Sequence, residues 1–243
     1  MKMIALDSSG LVASVAILED DILRAEYTVD YKKTHSQTLL PMLDEIAKMI
    51  LFDPKDADAV AVAAGPGSFT GLRIGSATAK GLCFALNKPL VEVPTLAALA
   101  YNLFGAEGLI CPIMDARREQ VYNGLYHFEN GTLVTDEDQR AIAVLDLAEE
   151  LNAKRPDSVI LLGDGVAVYK EQLDSLLKVP HLYAPANCSR QRAASVAAYG
   201  KVLFEQGKAV RGEEHAPVYL RKSQAERERE ARERAAGSLR GES

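Results

Sequence analysis

The stretch KMIALDSSGLVASVAILEDDILRAEYTV (2–29) decides the fold class. KMIAL (2–6) and VASVAIL (12–18) are apolar runs of strand length, as expected of strands buried on both faces. ILRAEYTV (22–29) alternates instead. Leu23, Ala25, Tyr27 and Val29 fall on one side and Ile22, Arg24, Glu26 and Thr28 on the other, which suits a strand with one face in solvent. Glu19, Asp20 and Asp21 supply the turn between the second and third strands. The period then changes: Leu39, Leu43, Ile46 and Ile50 recur at helical spacing. Pro41 fits a helix best in its first turn, which places the start near Gln37–Leu40. AVAVAA (59–64) reads as a buried parallel strand, 70–86 as a helix, LVEV (90–93) as a strand and 95–104 as a helix. The order is βββαβαβα.

After FGAEG (104–108) the same order begins again. LICPIMD (109–115) and QVYNGLYHF (120–128) read as strands, and Asn130-Gly131 as a hairpin turn into TLVTD (132–136). Val144, Leu147, Ala148 and Leu151 mark a helix, and SVILLG (158–163) a strand. Val166, Tyr169, Leu173 and Leu176 mark a further helix, with a short strand near 181–183 and a last helix over 191–206. Each unit opens with a strand ending in aspartate, Asp7 or Asp115. A doubled βββαβαβα predicts an α/β protein of the actin-like ATPase type, the architecture of Hsp70 and sugar kinases, related to the ribonuclease H-like fold. The expected domains are 1–104 and 105–220, the end of the second packing back on the first, with a charged tail at 221–243.

Composition narrows the function. Apolar residues make up 48% and charged residues 26% of 243, which suits a globular core and excludes extensive disorder. A formal charge of −6 argues against a protein that coats nucleic acid unaided. No apolar run approaches the ~20 residues of a membrane span, and MKMIALDSSG does not read as a secretory signal. A cytoplasmic location is expected. Cys83, Cys111 and Cys188 form no C-x-x-C pair and read as free thiols. The run RKSQAEREREARER (221–234) mixes both charges without an apolar stripe and reads as a solvated helix.

GPGSFTGLRIG (65–75) follows a strand and opens a helix, a junction that suits an anion, with Gly65, Gly67, Ser68, Thr70 and Arg73 as candidate contacts. It is not a Walker A loop, because Leu72 and Arg73 follow Gly71 where Lys-Ser/Thr is required. Gly71, Gly75, Ala79 and Cys83 recur every four residues and lie along one helix face. Small side chains there permit close approach of another helix; the alternative is packing on the chain's own sheet. The preceding helix carries more apolar residues than one buried face needs. Leu39, Leu40, Leu43, Ile46 and Ala47, with Gly71, Leu72, Gly75, Ala79 and Cys83, are therefore the expected partner interface.

HSQTLLPMLDEI (35–46), GPGSFTGLRIG (65–75), VPTLAALA (93–100) and PVYLRK (217–222) closely resemble the TsaB family, also called YeaZ. The resemblance covers residues 1–225. It implies a non-catalytic subunit in the synthesis of threonylcarbamoyladenosine in tRNA. Such a subunit pairs with a TsaD-like paralogue that holds the catalytic metal, is joined by a TsaE-like ATPase, forms homodimers in isolation and meets tRNA only through the complex. ATP and metal then belong to the partners, and this chain has no cofactor of its own.

The residues agree with that division of labour. The paralogue's pattern places two histidines four apart, and here Leu39 stands four after His35. His127, His181 and His215 have no histidine partner at ligand spacing, and no histidine near Ser68 or Thr70 in sequence offers a base. A first phosphate turn is plausible at Asp7, Ser8, Ser9 and Gly10, whereas 115–119 has no glycine and bulky side chains. Asp7 could still hold Mg, and Gly163 and Gly165 of LLGDG (161–165) could touch a nucleotide. The competing expectation is a stand-alone ATPase or sugar kinase; a third is a homodimeric regulator.

Overall fold

The computed structural model describes residues 1–31 and 35–221. Apart from Arg221, the Glu/Arg run and the tail expected at 221–243 lie outside the described residues. β1 (Lys2–Asp7), β2 (Val12–Glu19) and β3 (Ile22–Asp30) form an antiparallel meander. α1 (His35–Met49), β4 (Ala59–Gly65), α2 (Phe69–Leu86), β5 (Leu90–Pro94) and α3 (Thr95–Tyr101) follow. The second unit comprises β6 (Leu109–Asp115), β7 (Gln120–Glu129), β8 (Thr132–Ala143), α4 (Val144–Lys154), β9 (Val159–Leu162), α5 (Asp164–Leu176), β10 (His181–Tyr183) and α6 (Ala193–Glu205). A two-residue strand, β11 (Ala209–Val210), comes after it and has no signal in the sequence pattern.

The strand orders are β5-β4-β1-β2-β3 in one sheet and β10-β9-β6-β7-β8 in the other, with β11 added antiparallel outside β5. The two permutations are identical, so the repeat of element order is a repeat of topology. Strand alternation sends Ile4 and Leu6 toward the core under α1 and α2, and Met3 and Ala5 toward Val196 and Ala197 of α6. On the second sheet Ile113, Val121 and Leu125 pack with α4 and α5, while Ile110, Met114 and Tyr126 meet Leu96 and Leu99 of α3. The helix that closes the second unit thus covers the first sheet. Among the described residues no helix is long and apolar enough to cross a membrane.

Three expectations about elements are corrected. α1 begins at His35 and carries Pro41 in its interior. The proline forfeits a hydrogen bond to the carbonyl of Gln37, yet its ring is on the exposed side, and burial of Leu39, Met42, Leu43, Ile46 and Ala47 holds the helix. β8 runs to Ala143 rather than 136, because it pairs with β7 along its full length through two register shifts. On the expected inner face of β3 only Ala25 and Val29 pack on the core, while Leu23 and Tyr27 are exposed, since it is an edge strand.

Candidate functional site

The glycine-rich segment is shaped by the turn between β1 and β2. The Asp7 carboxylate accepts from the Ser9 N–H (2.9 Å) and the Ser9 hydroxyl (2.7 Å), which fixes the turn. Ser8 Oγ donates to the Gly71 carbonyl at 2.9 Å, and the Ser68 N–H donates to the Ser9 carbonyl at 2.6 Å. A Cβ on Gly67 would stand 2.2 Å from the Ser9 carbonyl oxygen, and one on Gly71 would stand 2.0 Å from that of Ser8. These glycines let the start of α2 abut its own sheet. Ser68 caps the helix by accepting the Gly71 N–H, and Gly65 (φ +121°) makes room for the Val218 carbonyl. Of the loop's N–H groups those of Ser68, Gly71 and Leu72 are engaged within the chain, while Gly67, Ser68 and Thr70 face the cleft.

Between the two sheets lies a cleft of about 690 Å³. It brings together Ser9, Gly67, Ser68 and Thr70 from the first half with Asp115, Arg117 and Asp164 from the second. Asp7, Ser8 and Gly65 sit behind its wall and are buried. Gly163 and Gly165 are corrected as nucleotide contacts: both pack on the Ile113 carbonyl, where a Cβ would come within 2.1 and 3.0 Å. Arg73 stands at the outer edge, its guanidinium 4.0 Å from the Phe69 ring centroid. Burial pushes the Asp7 carboxyl up to about 6, opposed by its bonds from Ser9 and the nearby His35, and reinforced by Asp164. Asp164 is likewise raised, chiefly by burial.

The opposite turn is built differently. Arg117, Arg118 and Glu119 are successive left-handed residues (φ +64°, +58° and +56°). Asp115 accepts the Arg117 N–H at 2.8 Å, and the Arg221 guanidinium donates to the carbonyls of Ala116 and Arg117. Residues 211–221 therefore form a strap. It runs beside α2 from Gly212 on Cys83 to Tyr219 on Phe69, and ties that helix to the second sheet.

The strap is clasped by a group that sequence spacing could not reveal. His215 is 1% exposed, with Nε2 2.8 Å from Ser76 Oγ and Nδ1 2.5 Å from Glu92 Oε1. This resembles a nucleophile–base–acid chain, but the hydroxyl is the buried end and the carboxylate the open one, the reverse of what attack on a substrate needs. His127 and His181 pair with Asp136 and Asp174. His35 Nε2 lies 3.0 Å from the Gly10 carbonyl. Among the described residues no three His, Cys, Asp or Glu side chains are placed to hold a metal ion.

The expected interface also needs correction. Gly71, Gly75, Ala79 and Cys83 are buried against the chain's own sheet, and a Cβ on Gly75 would stand 2.5 Å from Ser8 Oγ. Leu39, Leu43, Ile46, Ala47 and Leu72 belong to the same interior. Leu40 alone among those ten residues is on the exposed face, at 51%. The outward apolar surface is instead Leu40, Met49, Leu51 (93% exposed) and Phe84 (92% exposed). Beside it a groove of about 630 Å³ is lined by Leu40, Leu43, Ala47, Leu51, Phe52 and Leu82. On α2 the exposed apolar residue, Phe84, lies off the buried small-residue face.

The doubled sheet and its cleft define a protein of the actin-like ATPase fold class. A glucomannokinase from Arthrobacter sp. has this fold (TM-score 0.50, 14% identity, covering 85% of this chain and 99% of that one). A family model described as TsaD, tRNA N6-adenosine threonylcarbamoyltransferase, matches residues 25–229. The tRNA threonylcarbamoyladenosine biosynthesis protein TsaB of Bacillus subtilis (strain 168) is 35% identical over 227 residues, covering 93% of this chain and 96% of the relative. That of Escherichia coli (strain K12) is 27% identical over 230 residues, at 93% and 96% coverage. YeaZ from Pseudomonas aeruginosa superposes with a TM-score of 0.78 at 28% identity, covering 90% of this chain and 99% of that one. The chain belongs to the TsaB (YeaZ) family, within the wider group that the TsaD match marks.

Proposed function

We propose that this chain is a non-catalytic subunit in the formation of threonylcarbamoyladenosine in tRNA. It associates with a TsaD-like catalytic paralogue through the outer faces of α1 and α2, and helps recruit a TsaE-like ATPase. The observation that carries the reading is the exposure of Leu40 on α1, Leu51 just after it and Phe84 on α2, in a chain whose relatives are named for this pathway. Exposed apolar surface of this kind marks a docking site. The division of labour is supported by the glycine-free, left-handed turn at 115–119. ATP and metal chemistry then belong to the partners. In isolation the same surface serves a homodimer, and tRNA is met only in the complex.

The test is reconstitution of tRNA modification from the paralogue, the ATPase and an adenylate-forming synthase, with wild-type chain, without it, and with Phe84→Asp. Modification that needs the wild-type chain and fails with the variant supports the proposal. Full modification without the chain refutes it. Phosphate release from ATP by the purified chain, lost in Asp7→Asn, would establish the stand-alone ATPase instead.

A further inference from the structure

We infer that a strip of arginines and aromatic rings along the mouth of the cleft is where this chain touches single-stranded RNA; the inference rests on the tRNA-modification reading above. The starting point is charge pairing. Arg24, Arg140, Arg190, Arg192 and Arg211 each have a carboxylate within ion-pair distance. Among the described residues Arg73, Arg118, Arg155 and Arg221 have none; Arg155 caps the C-terminus of α4, and the other three, from distant segments, are linked through the strap. Arg221 donates to the carbonyls of Ala116 and Arg117, which brings the end of the strap beside Arg118. Arg73 lies over the Phe69 ring and donates to Tyr219 Oη at 3.3 Å. Phe69 and Tyr219 themselves stack with centroids 4.6 Å apart.

Phe69, Tyr219, Arg117 and Arg221 all line the same cleft, and Arg73 adjoins it through its contacts with Phe69 and Tyr219. The left-handed turn leaves Arg117 and Arg118 exposed at its tip. Guanidinium groups bind phosphates, and ring faces take unstacked bases; together they are the means by which proteins hold single-stranded nucleic acid. An acidic peptide would use the cations but has no need of the rings. Asp115 neutralises Arg117 at 3.3 Å, and Glu119 adds a second carboxylate. With a net charge of −6 the chain has no long-range pull on RNA, so the strip acts once a partner has delivered the RNA.

The experiment uses the heterodimer of this chain with its catalytic paralogue and a labelled anticodon stem-loop RNA as probe. Affinity is followed by fluorescence anisotropy across a salt series. Arg73→Glu and Arg118→Glu are each expected to lower the slope of log affinity against log salt by about one. Tyr219→Ala is expected to weaken binding roughly tenfold, and Lys178→Glu, outside the strip, to change nothing. Thermal unfolding and heterodimer assembly are measured on every variant. Wild-type affinity and slope in both arginine variants overturn the inference. Loss of assembly with RNA affinity per heterodimer unchanged overturns it too, since the surface then serves a protein. Neither result touches the proposed function, which fails separately if the unmutated chain is dispensable for modification.

Discussion

Replacement of Phe84 by alanine separates docking from folding. An aromatic side chain carries roughly 150–250 Å², and Phe84 is 92% exposed. Full burial under a partner removes about 140–230 Å² from water, roughly 3.5–6 kcal/mol at ~25 cal/mol per Å². Truncation to alanine loses only part of this, so about 2–3 kcal/mol is expected, or roughly 30- to 150-fold in Kd. The isolated chain gives up almost no internal contact, so its own stability should move by no more than about 0.5 kcal/mol. Isothermal titration of the TsaD-like paralogue into wild-type and Phe84→Ala protein, beside denaturant unfolding of each, measures both quantities. Unchanged affinity at unchanged stability would show that the outward face of α2 is not the docking surface.

Gly71→Ala and Gly75→Leu should destabilise the fold by about 3 kcal/mol or more, because their side chains meet Ser8 at 2.0 and 2.5 Å; a lower urea midpoint in the isolated chain is the readout. Asp7, held at about 6 against an unfolded value near 4, favours folding while protonated. Its contribution is fully present below pH ~4 and lost as pH rises through 6, worth about 3 kcal/mol at most. Asp7→Asn should flatten that part of the stability–pH curve, and a curve unchanged in shape refutes the assignment. Glu119→Gly, at φ +56°, should stabilise the chain by about 1 kcal/mol, seen as a raised Tm.

The strands and helices were legible where one local pattern decides them. The β1–β2–β3 meander, the apolar β4 and β6, and the repeat of element order all follow from periods of two and 3.6. The second half of β8 carries DEDQR, which has no strand pattern of its own, and pairing along the whole of β7 makes it strand. The four-residue spacing of Gly71, Gly75, Ala79 and Cys83 correctly implied close approach but not by what; the neighbour is the β1–β2 turn more than sixty residues away. Phe84, a single aromatic outside an apolar stripe, has no periodic signature in the sequence. The Ser76–His215–Glu92 clasp and the gathering of Arg73, Arg118 and Arg221 depend on contacts far apart in sequence, which no local reading can reach.

Because α6 supplies the inner cover of the first sheet, strands laid down by residues 2–94 are finished only when a helix from the end of the second unit arrives. Until residues 193–205 dock, Met3, Ala5, Val91 and Val93 present a bare apolar plane to water. Severing the chain near 105 would therefore give an N-terminal fragment with no lid for that plane and a C-terminal fragment whose closing helix has nothing to cover.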